Sequence, residues 1–142
     1  MSRTRRPKQF LDVLGTGETL LQSTFERAKM ICPIGNIYVV TSKLYGELVE
    51  HDLPECRKEN ILCEPVRRNT APCIAYAMAK IEKRCEDALV LVMPSDHLIV
   101  DKENFVSRIF QGFRLARREQ VLICLGIKAA YPNTGYGYIQ YN

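Results

Sequence analysis

Two runs in this chain carry no polar alternation: "ALVLVM" at 88–93 and "VLICLGI" at 121–127. A strand that is apolar on both sides has to be covered on both faces. That is the position of a strand inside a parallel sheet flanked by helices. Both runs are far too short to span a membrane.

The rest of the chain has the rhythm such a sheet needs. Thr19 and Gln22 stand at capping-box spacing, and Leu20, Leu21, Phe25 and Ala28 recur on one helical face. "NIYVVT" follows, β-branched at Ile37, Val39 and Val40, as a buried strand. Ser42 is placed to cap a second helix with Leu44, Tyr45, Leu48 and Val49 inward, stopped before Pro54. "NILCE" is a short strand. A third helix starts at Asn69 or Thr70, tolerates Pro72 in its first turn, and turns Ile74, Ala75, Met78 and Ile81 inward. Asp101 caps a fourth, running to about residue 119 with Phe105, Ile109, Phe113 and Ala116 inward. "NTGYGYIQY" reads as a glycine turn entering a further strand. Alternating helices and strands imply an α/β fold on a mostly parallel sheet with right-handed crossovers and helices on both faces. The order opens on a loop and a helix, so the first strand of such a sheet is expected to be missing.

Composition supports a single domain over residues 1–142: 46% of residues are hydrophobic and 25% charged, with a net charge of +4. Much of the basic excess lies in "SRTRRPK" at the start, the pattern of a solvated tail, a phosphate site or a nucleic-acid arm; the expectation is no nucleic acid. No apolar signal segment follows those charges, so the protein is expected in the cytoplasm, with no membrane association. The six cysteines form no CxxC pair, which argues against zinc and for reduced thiols acting as small core residues.

In open parallel sheets ligands lie beyond the carboxyl ends of the strands. Three polar clusters fall there: "EPVRRNTAP" after "NILC", "PSDH" after "ALVLVM", and "KAAYPNTGYGY" after "VLICLGI". A fourth, "RTRRPKQF", precedes the first helix. Asp96 follows a rigid apolar run and Pro94. Its carboxylate suits a hard cation such as Mg²⁺, and equally a loop cap, and residue mechanics leave both open. His97 reads as a loop residue and His51 as a bystander on a polar helix face. Lys8, with Arg5 and Arg6, suits phosphate oxygens. Asn69 and Thr70 suit plain capping and also an anion or base edge at a helix N-terminus. Gly135 and Gly137 leave room for a ligand near the backbone, or mark a turn.

Taken together, "PKQFL", "TLLQSTFER", "EPVRRNTAP", "PSDH" and "NTGYGYI" resemble, in order and spacing, the mannose-1-phosphate guanylyltransferases (GDP-mannose pyrophosphorylases). The resemblance covers nearly the whole chain. It implies a Rossmann-like nucleotidyltransferase domain that joins mannose 1-phosphate to GTP with Mg²⁺, giving GDP-mannose and pyrophosphate. On that pattern Lys8 contacts phosphates. Glu64, Asn69 and Thr70 line the nucleotide pocket, with Arg67 and Arg68 at the motif's basic positions. Asp96 binds the metal near the α-phosphate, and Gly135 and Tyr136 border the mannose.

The family opens with a strand and a glycine-rich loop, roughly GxGTRLWP, ahead of the segment that starts at Met1 here. It also continues past the segment that ends at Asn142. Cys73 replaces a usual alanine, and Ala129 and Asn133 replace a common proline and glutamate. The resemblance thus implies a segment of such an enzyme. The 142-residue chain alone is expected to show little transferase activity and to expose apolar sheet edges; a homo-oligomer is left open for the full-length protein. Two other readings stand beside it: a sibling transferase with a different base or sugar, and a non-catalytic remnant that binds sugar nucleotides.

Overall fold

A computed structural model describes residues 7–66 and 69–140. The first helix, α1 (Leu20–Lys29), starts as its sequence demands. Thr19 Oγ1 accepts from the Gln22 amide at 3.2 Å, and the Gln22 side chain accepts from the Thr19 amide at 2.8 Å. Two otherwise unpaired N–H groups are thereby satisfied. Leu20, Leu21, Phe25 and Ala28 are buried as the periodicity predicts. They join Phe10, Ile37, Tyr45, Val49 and Leu53 in the core.

Two strands form, β1 (Val39–Ser42) and β2 (Ile61–Glu64), paired in parallel with Val39 opposite Ile61 and Ser42 opposite Glu64. A 3₁₀ turn, Lys43–Tyr45, leads into α2 (Gly46–Asp52), which packs on both strands and ends before Pro54. Ser42 makes no cap bond, and the extra turn leaves Leu44 79% exposed, so the expected Ser42 cap and inward Leu44 are both corrected. The 3₁₀ period of three residues rotates Leu44 away from the face that Tyr45 and Val49 share. Asn60 fixes the register. Fully buried, it donates to the carbonyls of Gly35 at 3.0 Å and Ile37 at 2.9 Å, tying the start of β2 to the approach of β1.

The chain then passes through α3 (Thr70–Glu82) to residues 88–93. That run and residues 37–41 both line a cavity of about 860 Å³. Tyr38, Val40, Leu89 and Leu91 line it, with Phe25 of α1 and Ile74 of α3. The two parallel strands, with α2 packed on both and α3 in contact with β2, are the α/β arrangement expected of a Rossmann-like sheet. α4 (Lys102–Glu119) is capped by Asp101, whose Oδ1 accepts from the Asn104 amide at 2.9 Å. Only Ile109 of its inward row is fully buried; Phe105, Phe113 and Ala116 are half-buried.

The sheet is smaller than the sequence predicts. Among the described residues, 88–93, 121–127 and 136–140 form no ladder, and none precedes Val39. A strand is a property of a pair. Residues 88–93 line the cavity with β1 but do not pair with it, so pairing does not pass outward to the later runs. Those runs stay exposed, with Leu122 and Ile127 among the most exposed side chains. The same cavity takes the apolar face of α3: Ile74, Met78 and Ile81 line it and none of them is buried, while Ala75 is exposed. The cysteines are free, but only Cys56 is a buried core residue, and Cys85 and Cys124 are exposed.

Candidate active site

Lys8 opens a short 3₁₀ turn, Lys8–Phe10. Phe10 anchors that turn: it is 1% exposed and packs on Tyr45 with ring centroids 6.0 Å apart. Asp96 sits on the turn after Met93, which packs against the core. These two anchors bring Lys8 Nζ to 4.0 Å from Asp96 Oδ2, with both side chains about half exposed. Gln9 and Ser95, their chain neighbours, line the mouth of the cavity at its Lys8–Asp96 end. An ion pair this exposed is worth at most about 1 kcal/mol, so stability is a poor reason for it. A half-exposed ammonium beside a half-exposed carboxylate is, however, suited to receive a phosphate and its counter-cation.

Glu64 is the last residue of β2 and stands against the first turn of α3. Burial pushes the Cys73 thiol up, and the charge of the nearby Glu64 carboxylate pushes in the same direction. Thr70 is the first residue of α3, with Pro72 in its first turn. Asn69 holds the N-cap position but does not cap: its side chain makes no cap bond, because its backbone is turned to φ 67°, ψ −166°. That region favours glycine and costs a residue such as asparagine about 1–3 kcal/mol. Among the described residues no side chain accepts from the first N–H groups of α3. Arg67 and Arg68, like Arg5 and Arg6, lie outside the described residues.

Gly135 and Tyr136 are not brought to this group. Their hydrogen bonds close within one turn: Asn133 Oδ1 accepts from the Gly135 amide at 2.8 Å, and the Tyr138 hydroxyl sits 2.7 Å from the Asn133 amide. Tyr136 is 71% exposed. Among the described residues 121–127 pair in no ladder, and the 133–138 turn bonds within itself.

Among the described residues no group of three or more His, Cys, Asp or Glu side chains could enclose a metal. A lone carboxylate completed by ligand oxygens is an arrangement Mg²⁺ accepts, and Asp96 is the residue that would fit it. His51 is exposed beside Asp52, and His97 contributes its backbone rather than its ring. Sequence reasoning passed over Arg27. It is 2% exposed, and its Nη2 donates to the His97 carbonyl at 3.1 Å. The one signal for it was a charged residue inside the apolar stripe of α1.

Among the described residues no helix is long and apolar enough to cross a membrane. The nucleotidyl transferase family profile matches residues 1–142. The alginate biosynthesis protein AlgA of Pseudomonas putida is 37% identical over 145 residues, covering 99% of this chain and 29% of that protein. A mannose-1-phosphate guanylyltransferase of Salmonella montevideo is 38% identical, covering 99% and 29%. One from Escherichia coli is 37% identical, covering 99% and 30%. The chain thus spans about three tenths of the length of these curated relatives.

Proposed function

The chain belongs to the nucleotidyl transferase family, and from that premise we propose that its protein transfers GMP from GTP to mannose 1-phosphate, releasing pyrophosphate and forming GDP-mannose. The observation that carries the reading is the Lys8–Asp96 pair, brought together from segments far apart in sequence. Guanylyltransferase relatives aligned over 99% of the chain support the choice of base and sugar.

The chemistry asks little of the protein in the way of acid or base. A phosphate oxygen of mannose 1-phosphate attacks the α-phosphorus of GTP. The bond from that phosphorus to the bridging oxygen breaks, and pyrophosphate leaves with the electron pair. The nucleophile is already an anion, so no general base is required, and catalysis reduces to positioning and charge neutralisation. In this reading Lys8 meets phosphate oxygens. Asp96 is the protein ligand for Mg²⁺, which when bound neutralises phosphate charge near the α-phosphorus. Glu64, Arg68, Asn69 and Thr70 line the nucleotide side, where the uncapped N–H groups of α3 suit an anion or a base edge. Gly135 and Tyr136, which the fold described above does not bring to this group, would border the sugar only once their turn is carried to it. A GTP-dependent step of this kind suits the cytoplasm.

The test is pyrophosphate release by the protein expressed from its own gene. Four nucleoside triphosphates are each offered with mannose 1-phosphate or glucose 1-phosphate. The expected result is Mg²⁺-dependent release with kcat/KM highest for GTP and mannose 1-phosphate. Faster release with another nucleotide or sugar would overturn the specificity, and no release with any pair would overturn the activity.

A further inference from the structure

α1 presents one residue that its amphipathic pattern does not explain. Arg27 lies among the buried residues of α1 and is 2% exposed, one of the most buried large side chains. Its Nη2 donates to Thr24 Oγ1 at 2.9 Å and to the His97 carbonyl oxygen at 3.1 Å, and Nη1 donates to Ser23 Oγ at 3.4 Å. Nε is buried without a partner. No carboxylate pairs with it among the described residues. A buried, unneutralised guanidinium is costly, and an apolar residue of similar volume is often neutral or better for stability. Ser23 and Thr24 lie on α1 itself. The one hydrogen bond that leaves the helix goes to the residue directly after Asp96.

We propose that Arg27 is a positioning residue: its fork, braced by Thr24, holds the His97 carbonyl so that the 95–97 turn presents the Asp96 carboxylate toward Lys8. The inference rests on the reading of Asp96 given under the proposed function. It assigns the cost of the buried charge to the site rather than to the core. Beyond its own local turn, residues 95–97 gain no backbone hydrogen bond from another element among the described residues, and Asp96 and His97 are exposed. A guanidinium can grip a helix hydroxyl and a carbonyl at once, which a single ammonium cannot do in fixed geometry.

The test compares wild type, Arg27→Met and Arg27→Lys by two readouts. The first is the ¹⁵N order parameters of residues 95–98 in the 142-residue chain without ligand. A rigid turn gives values near 0.85 and a mobile one falls below about 0.6. The second is pyrophosphate release from GTP and mannose 1-phosphate as a function of Mg²⁺, using the protein expressed from its own gene. The expected result is that Arg27→Met keeps its melting temperature within a few degrees while the turn becomes mobile. Its kcat then falls by about 10²-fold, the scale of a misplaced group, and half-saturating Mg²⁺ rises while KM for mannose 1-phosphate is unchanged. Arg27→Lys should fall between the two. Unchanged order parameters, or wild-type kcat and Mg²⁺ dependence in Arg27→Met, would overturn the proposal. Should Arg27→Met fail to fold, wild-type values for Arg27→Lys in either readout would do the same. Should wild type release no pyrophosphate, the reading of the site falls, while the order parameters still decide whether Arg27 holds the turn.

Discussion

Asn60→Ala removes the one side chain that ties β2 to the approach of β1. Asn60 is fully buried; its amide donates to the Gly35 and Ile37 carbonyls, and its Oδ1 accepts from Arg84 Nη1 at 3.2 Å. Each buried carbonyl left without its donor costs about 1–3 kcal/mol. Arg84 loses less, because it is half exposed and keeps contacts to Tyr38 and Glu59. The expected loss is about 3 kcal/mol, a large part of the ~5–15 kcal/mol that holds an ordinary domain together. Followed by far-UV circular dichroism, with a urea slope near 2 kcal/mol per molar, the midpoint falls by about 1.5 M. Arg84→Ala, as a control, should shift it by less than a third of that. Asn60→Asp adds a sign test. A carboxylate facing two carbonyls is destabilised when charged, so its folded pKa rises above the unfolded value. The variant should be most stable below the unfolded pKa and lose stability as pH rises through the folded one. An Asn60→Ala midpoint within about 0.3 M of wild type, one fifth of the expected shift, would refute the reasoning.

Thr19→Ala removes the hydroxyl that caps α1 and that donates to Asp52 at 3.3 Å; it should cost about 1–2 kcal/mol in the same urea titration, and Thr19→Ser should recover most of it. Burial and then Glu64 raise the Cys73 thiol, so Cys73 should be alkylated by iodoacetamide more slowly than exposed Cys85 at pH 8. Glu64→Gln removes the carboxylate, lowers the thiol pKa and should speed Cys73 alkylation severalfold; peptide mass spectrometry reads both rates, and an unchanged Cys73 rate would remove Glu64 from the first turn of α3.

Local rules were legible wherever one segment contained its own reason. The Thr19–Gln22 box, the Asp101 cap and the row through Phe105, Ile109 and Phe113 each depend on neighbours within a helical turn or two. β1 and β2 were legible because each has a paired neighbour. Residues 88–93 and 121–127 have the composition of central strands, but composition cannot say whether an adjacent edge is within hydrogen-bonding reach. Asn69 was identified by type as a cap, and its backbone turn takes the side chain out of that role. Of the site, the family pattern picked out Lys8 and Asp96, and the fold brings them together. Gly135 and Tyr136 depend on a strand that does not pair, and their place beside the others is not formed. Arg27 and Asn60 went unread because their partners are backbone carbonyls distant in sequence, which no residue pattern encodes.

The central claim is that Lys8 and Asp96 form the phosphate and metal end of a guanylyl-transfer site. Asp96→Asn tests it most directly, since it keeps the size of the side chain and removes the charge. Pyrophosphate release from GTP and mannose 1-phosphate, by the protein expressed from its own gene, is measured across Mg²⁺ concentrations. The account predicts a fall of about 10²–10³-fold in kcat, the scale of losing one transition-state charge contact, with a higher Mg²⁺ requirement and an unchanged melting temperature. Asp96→Asn turning over at the wild-type rate, with the wild-type Mg²⁺ dependence, would contradict it.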